Sequence, residues 1–475
     1  MIENEKINRN KRVLCVDLDG TLIKTDLLME CLIRLLKKNF LYLFVVPIWL
    51  LLGIKKFKQK VAESIDIKDI KIPLNDDVVK FLNEELSKRK IYLVTGAHQS
   101  LAEIIGNQFK IFSEIHGTNE SINLTGKNKA KFLVDLLGKN NFDYIGNSTV
   151  DKHVFNVAHD SYLVGHQNIL PNQKFVKIFS FENDKLKSIF KSMRYQQWVK
   201  NLLVFLPLLL AQRWSNLNDV LYAFFSFLLF SAIASCVYLF NDFIDLDTDR
   251  EHPSKKKRPL ASADLTILTG LKVFIGLSLA SFILSLIFFK HLIGILAIYI
   301  ILNFLYSKYL KKIAIADIFL LASFYILRIF YGAFALDIPI SPWFFSFSFF
   351  FFLSLAFLKR FSEIKLVFKN SGESLLKGRD YEINDSQFLA IFGILSGGLS
   401  TLIYSLYLYI GQHNHLYKNI SWLWGQKILL LYWLAHIWLK AYRGKVKDDP
   451  VRFALKDKTS LILGCILIIF YILAI

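Results

Sequence analysis

The chain has 475 residues, 54% of them apolar, and its mean hydropathy is +0.39. Its 58 Lys and Arg against 39 Asp and Glu leave a formal charge of +19. A soluble protein of this length seldom reaches that hydropathy, and cations scattered between apolar runs, not gathered in an arm, argue against nucleic-acid binding and for a membrane protein with basic loops on one side.

The first residues, MIENEKINRNKR, are polar and lead straight into a short apolar strand. No cleavable signal peptide is expected, and the N-terminal part is placed in the cytosol. Up to about residue 165 the pattern is α/β: RVLCVDLDGT, KIYLVTGA and FDYIGNS read as strands ending in polar turns, with helical stretches between them. Apolar strands with helical crossovers predict a parallel sheet whose ligands bind beyond the strand C-termini. Between the first two strands lies FLYLFVVPIWLLLG (Phe40–Gly53), flanked by lysines and too short to span a bilayer. Two readings of it stay open, a buried cap helix or a segment resting on a membrane. Cys15, Cys31, Cys236 and Cys465 lack metal-ligand spacing and read as reduced thiols in apolar surroundings.

From about residue 195 onward nine apolar segments of spanning or near-spanning length are expected, near 200–212, 219–241, 266–289, 291–306, 314–336, 343–358, 387–411, 425–440 and 459–475. The first is short and interrupted by Pro207. The loops after the second, fourth, sixth and eighth segments hold REHPSKKKR, SKYLKK, KRFSEIKLVFKNSGESLLKGR and KAYRGKVKDDPVRFALKDK, whereas the alternate loops are nearly free of Lys and Arg. The basic loops are therefore expected in the cytosol, on the side of the N-terminal domain. His413 and His415, between later apolar runs, read as part of a wet loop on the far side, a metal pair being the lesser alternative.

The second apolar segment ends in NDFIDLDTDREHPSKKKRP (Asn241–Pro259). On a helix, Asn241, Asp242, Asp245 and Asp249 follow at spacings of three and four and share a face, while Asp247 points elsewhere. Each carboxylate costs about 2.5 to 3.5 kcal/mol if drawn to the bilayer centre, and aligned carboxylates repel. A divalent cation removes both penalties. All-oxygen ligands suit Mg²⁺, which completes its shell with substrate phosphates. Lys255, Lys256, Lys257 and Arg258 follow at once and suit the outer oxygens of a diphosphate.

NDFIDLDTD resembles the N-D-x-x-D-x-x-x-D motif of the UbiA superfamily of intramembrane prenyltransferases. The resemblance implies nine helices, Mg²⁺ and a diphosphate leaving group, with Asn241, Asp242, Asp245 and Asp249 as metal ligands and Asp242 and Asp245 at the chemistry. The family's second aspartate motif falls on YSKYLKKIAIADIFLLASFYILR, where Asp317 fits but Leu321 stands four residues later. Asp317 is thus a lone further metal ligand, and Lys308, Lys311, Lys312 and Arg328 are candidates for phosphate charge. RYQQWVKNLLVFLPLL, YILRIFYGAFA and SPWFFSFSFFFFLSLAFLKRFSEI look like the polyprenyl-phosphate phosphoribosyltransferase branch, the decaprenylphosphoryl-phosphoribose synthase type. That branch implies phosphoribosyl pyrophosphate (PRPP) as donor and a polyprenyl phosphate as acceptor. Its phosphates call for a set of binding residues, for which the candidates are Lys200, Asn201, Lys257, Arg258, Tyr306, Lys311, Arg328, Lys359, Arg360 and Arg379, with Glu363 holding its neighbours.

VDLDGT, with Asp17 closing a strand and Asp19 two residues on, is similar to the first motif of the haloacid dehalogenase superfamily. YLVTGA, GKNKAKFLVDLLG and YIGNSTVD follow in order. The resemblance implies Asp17 as nucleophile, Asp19 as general acid and base, Thr95 and Lys129 on the phosphoryl oxygens, and Asp151 orienting Lys129 or a metal water. It also implies Mg²⁺ on Asp17, Asp19 and Asn147. The last motif usually opens with Asp, so Asn147 removes one negative charge from the site.

The expected protein is multidomain: an α/β haloacid dehalogenase-like domain over 1–170 with a helical cap at about 25–90, a linker at 171–193, and an all-α polytopic membrane domain over 194–475. Its expected function is phosphoribosyl transfer at the cytosolic face of an inner membrane, with a fused phosphatase removing the 5-phosphate. Three alternatives stand beside it: an aromatic polyprenyltransferase using a prenyl diphosphate, a transporter with a regulatory domain, and a non-catalytic N-terminal module. The partners are the lipid bilayer, the lipid phosphate and the donor, without nucleic acid; the oligomeric state stays open, a homo-oligomer included.

Overall fold

The computed structural model describes residues 12–65, 71–180, 184–252, 254–371, 379–410, 416–446 and 449–475. They form two compact units. The first comprises Met1–Arg194 with Tyr238–Gly276, the second Tyr195–Val237 with Leu277–Ile475. The helix Leu217–Ile244 passes from the second into the first at its polar end.

The first unit is built on a six-stranded parallel sheet of order β3-β2-β1-β4-β5-β6. The strands are β1 (Val13–Val16), β2 (Ile91–His98), β3 (Glu114–Thr118), β4 (Phe142–Gly146), β5 (Ser161–Val164) and β6 (Lys177–Phe179). Leu14, Cys15, Val16, Leu93 and Ile145 are fully buried, because strands covered on both faces need apolar side chains on both. Strand order reverses between β1 and β4, so the crevice beyond their C-terminal ends is the natural ligand site. β6 lies within the stretch expected as a linker, which also carries the helix Lys185–Ser192.

Among the described residues four helices of the expected cap separate β1 from β2: α1 (Leu27–Lys38), α2 (Tyr42–Leu51), α3 (Ile54–Glu63) and α4 (Asp76–Leu86). Asp26 caps α1 by accepting the Met29 N–H at 2.9 Å. None of the residues of α2 is buried, so the reading of that apolar run as a buried cap helix does not hold. The outer face of α1 packs through Met29 and Ile33 on Leu239, Leu246, Leu260, Leu265 and Ile267, which flank the acidic segment. Buried Glu30 there pairs with Arg250 at 2.6 Å, and Arg34 pairs with Glu30 at 2.7 Å and with Asp247 at 2.5 Å.

Among the described residues six helices are long and apolar enough to cross a membrane: Leu217–Ile244, Ile267–Phe288, Lys290–Lys308, Ala316–Ala335, Pro342–Phe368 and Asp385–Ile410. The chain is a multi-pass membrane protein. Ser421–Tyr442 and the shorter apolar Lys458–Ala474 occupy the last two expected segments. The first expected segment is instead a 3₁₀ stretch, Tyr195–Phe205, followed by the short helix Leu206–Leu210, with Pro207 in its first turn, where a missing N–H costs nothing.

In the second unit, Ala322, Leu358, Phe361, Leu389 and Ile437 bring four of these helices to one core. Gly332 lets the helix Ala316–Ala335 touch the 3₁₀ stretch, for a Cβ there would lie 2.0 Å from the Val204 carbonyl oxygen.

Candidate active sites

At the β1–β4 crevice the Asp17 carboxylate accepts the Leu18 N–H and the Lys129 ammonium, both at 2.9 Å. Lys129, buried in the helix Gly126–Leu137, also donates to the Tyr144 hydroxyl at 3.0 Å and lies 3.6 Å from Asp151. The Tyr144 hydroxyl donates to Asp151 at 2.8 Å, and the other Asp151 oxygen accepts the Ser148 hydroxyl at 2.8 Å and the N–H groups of Ser148 and Asn147 at 3.1 and 3.3 Å. Asp151 is thus locked and in turn fixes Lys129 and Tyr144. Asp19 accepts the Leu27 N–H at 2.8 Å, tying the loop after β1 to the start of α1. Thr95 is fully buried in β2, its hydroxyl accepting the Ala97 N–H at 3.1 Å.

Burial pushes the Asp17 carboxyl up to about 6, with Lys129 pulling it down and Asp151 adding to the rise. Burial, with Asp26 nearby, pushes Asp19 up to about 8. A carboxylic acid that keeps its proton at neutral pH suits a general acid. Burial opposes the charge on Lys129, but Asp17 and Asp151 outweigh it and raise its pKa. Gly20 adopts φ +68°, and a Cβ there would stand 2.0 Å from the Asn147 amide nitrogen, so only glycine lets these two loops close. Asp17, Asp19 and the Asn147 amide form an oxygen donor set that fits Mg²⁺.

Lys58 of α3 reaches the same crevice, donating to the Gly96 carbonyl at 2.6 Å and the Asn123 side chain at 3.1 Å. Burial lowers its pKa, with Asp19 and Asp26 opposing. One lysine among Lys55, Lys56, Lys58 and Lys60 carries no spacing signal that marks it in the sequence.

The acidic segment lies in the same unit. The long helix ends at Ile244 and a short one, Leu246–Glu251, follows, yet the four-residue register persists: the Asp245 N–H bonds to the Asn241 carbonyl at 2.9 Å and the Asp249 N–H to the Asp245 carbonyl at 2.8 Å. Asp242 and Asp249 are 2% and 1% exposed, and Arg258 bridges them, reaching Asp242 at 3.1 Å. Arg194 is a second partner of Asp242. The remaining Asp249 oxygen is buried with no hydrogen-bond donor among the described residues, and Lys255 stands 4.0 Å away. A buried carboxylate oxygen without a donor is costly and fits a cation. Asp245 and Asn241 are half-buried beside it. Against this face opens a cavity of about 330 Å³ lined by Lys191, Arg194, Lys255, Lys257 and Arg258 with Asp242, Ser254 and Pro259. Five cations around one open volume suit a diphosphate.

The second unit holds the other expected residues in three groups. Asp317 is fully buried, with Arg360 at 2.5 Å and Arg379 at 3.1 Å on one oxygen and the Tyr381 hydroxyl at 2.5 Å on the other. Both Asp317 oxygens are thus taken, whereas the two guanidiniums on Asp242 share one oxygen, so Asp317 does not fit the metal-ligand role expected for it. Arg360, also fully buried, is committed to Asp317 and Glu363, which replaces its expected phosphate role with a structural one. Tyr306 meets Arg379 at 3.4 Å. In a second group Arg328 donates to the Asn201 amide oxygen at 2.8 Å and lies over the rings of Phe230, Tyr299 and Tyr325, while Asn201 donates to the Ser231 hydroxyl at 3.0 Å. In the third, Lys200 and Lys359 converge on Asp449 at 2.5 and 3.8 Å. Lys311 sits in the turn Leu310–Lys312. His413 and His415 lie outside the described residues.

Arg194, Tyr381 and Asp449 were not expected in these sites. Each is ordinary in its local sequence and acquires its partner only through the fold.

An acidic helix end facing a cationic cavity, in a chain of apolar spanning helices, makes an intramembrane site suited to a phosphate-bearing substrate, with a six-stranded parallel α/β sheet on the same chain. The UbiA prenyltransferase family matches residues 202–366. The chain is 31% identical over 485 residues to the uncharacterized protein y4nM of Sinorhizobium fredii, covering 100% of this chain and 93% of that protein. It is 31% identical over 279 residues to the nodulation protein NoeC of Azorhizobium caulinodans, covering 58% of this chain and 89% of that one. It is 30% identical over 223 residues to the decaprenyl-phosphate phosphoribosyltransferase of Mycobacterium tuberculosis, covering 46% of this chain and 73% of that one. The chain belongs to the UbiA prenyltransferase family.

Proposed function

We propose that the chain moves phosphoribosyl from PRPP to a polyprenyl phosphate, and that its N-terminal unit removes a phosphate, the 5-phosphate of the product being the candidate. The observation that carries the transfer is the cavity of five cations against buried Asp242 and Asp249. The 30% identity to a decaprenyl-phosphate phosphoribosyltransferase supports this donor and acceptor. The basic loops support a cytosolic position for both sites, beside the inner membrane.

In this reading a lipid phosphate oxygen attacks ribose C1 as the bond from C1 to the pyrophosphate oxygen breaks. Lys191, Arg194, Lys255, Lys257 and Arg258 receive the departing negative charge. Mg²⁺, which Asn241, Asp242, Asp245 and Asp249 would hold here and Asp17, Asp19 and Asn147 would hold at the β1–β4 crevice of the same unit, would neutralise phosphate charge. In the N-terminal unit the Asp17 carboxylate attacks phosphorus, and Asp19 gives its proton to the leaving alcohol oxygen. Lys129 holds the phosphoryl charge with Thr95 beside it. Water, losing a proton to Asp19, then frees inorganic phosphate from the aspartyl-phosphate.

The test uses purified protein, Mg²⁺, a polyprenyl phosphate and radiolabelled PRPP, with lipid products resolved by chromatography and mass. A ribose-bearing lipid, lost in Asp242→Asn and retaining its 5-phosphate in Asp17→Asn, supports both steps. No labelled lipid, with a prenyl diphosphate and an aromatic acid reacting instead, overturns the phosphoribosyl reading.

A further inference from the structure

We infer that α2, together with its flanks, is a membrane-inserted element of the phosphatase cap, seated in the acyl layer of one leaflet. YLFVVPIWLL is apolar around its whole circumference and none of its residues is buried. A helix apolar all round belongs in an apolar medium. Only Tyr42, Val46 and Trp49, at i, i+4 and i+7, pack partly on the cap core. Outward stand Phe40, Leu41, Phe44, Ile48, Leu51 and Ile54, each 59% to 87% exposed. A contiguous patch of this kind marks an interaction surface, unlike a single exposed leucine.

Three further observations select lipid as its partner. Lys37 and Lys38 precede the run and Lys55 and Lys56 follow it, so cations bracket the apolar stretch at the depth where anionic headgroups lie. Ten residues make a helix of about 15 Å, half the roughly 30 Å of a bilayer core, which suits insertion from one side. Lastly, α1, which leads directly into α2, is clamped by Glu30–Arg250 and Arg34–Asp247 to the residues that follow the spanning helix Leu217–Ile244. Within the first unit the cap is thus held against the residues at the polar end of a membrane-length helix. A second copy of the chain fits the same surface poorly, because a two-fold contact sets these four lysines against their own copies.

The insertion is independent of what the crevice hydrolyses, but it bears on it: α3, which brings Lys58 to the crevice, starts at Ile54, just after its cap residue Gly53. If the phosphatase reading holds, the cap brings the crevice to phosphates borne on lipids.

The test uses the full chain with Cys465→Ser, which leaves three buried cysteines, and Phe44→Cys labelled with nitrobenzoxadiazole. The protein is reconstituted in vesicles of phosphatidylcholine and phosphatidylglycerol, with unchanged circular dichroism as the check on folding. Lipids with a nitroxide on the acyl chain are expected to lower the fluorescence about twofold, while aqueous iodide leaves it unchanged. Quenching by iodide without quenching by the nitroxide lipids overturns the inference. Energy transfer between labelled copies without lipid quenching overturns it in favour of self-association. Because no activity is read, these outcomes are separate from the fate of the phosphatase proposal.

Discussion

Arg258 bridges two buried carboxylates and lines the cavity proposed to take a diphosphate, so in that proposal one guanidinium serves both the empty and the occupied site. A lysine keeps the charge but not the planar fork. Arg258→Lys is expected to lower phosphoribosyl transfer at least about tenfold in the radiolabel assay. In the other centre Lys129 carries charge on the Asp17 side of the crevice. Lys129→Met is expected to lower hydrolysis of a generic aryl phosphate by about 100-fold or more. Glu30 gives a pH dependence. Burial alone raises its pKa, but Arg250 and Arg34 bring it below the usual carboxylate value. A depressed folded pKa means that the pairing contributes fully above the unfolded value of about 4.3 and is lost as pH falls through the lower folded value. Glu30→Gln is thus expected to cost about 3 kcal/mol at neutral pH, and the gap to the parent protein in thermal unfolding should narrow only below about pH 4.

At the scale of elements, Gly332 sets how closely the helix Ala316–Ala335 approaches the 3₁₀ stretch that carries Lys200 and Asn201. Gly332→Ala is expected to destabilise by about 1 to 3 kcal/mol, read as a lower unfolding midpoint in detergent, and to slow transfer by displacing Asn201 from Arg328. The elements differ in how far the sequence discloses them. Parallel strands and the loop after Asp17 are legible because buried strands and tight turns restrict residue choice locally. The register of Asn241, Asp242, Asp245 and Asp249 is legible because helical spacing is local too. Asp317 misleads, since its compensation comes from Arg360, Arg379 and Tyr381, brought in from other parts of the chain. The apolar run of α2 is plain in sequence, but whether it faces a core or the outside is decided by packing.

At the scale of the whole molecule, the proposed function places two centres on one chain with separate acidic sets, Asp17 and Asp19 in one and Asp242, Asp245 and Asp249 in the other. Asp17→Asn is expected to abolish aryl phosphate hydrolysis and leave labelled lipid formation within about twofold of the parent, and Asp242→Asn to do the reverse. A variant that loses both activities while remaining folded would mean that the centres work only together. The first unit is nevertheless not a contiguous piece of chain, because Tyr238–Gly276 completes it. That interleaving sets a timetable during synthesis. When Arg194 has been added, Glu30 still lacks Arg250, and Met29 and Ile33 lack the leucines that will cover them. Roughly 80 more residues must follow, which takes about 4 to 16 s at ordinary elongation rates. Through that interval a nascent chain displays a carboxylate short of one of its two arginines and a bare apolar stripe, a natural station for a chaperone, and a ribosome stalled before Gly276 would strand the domain there.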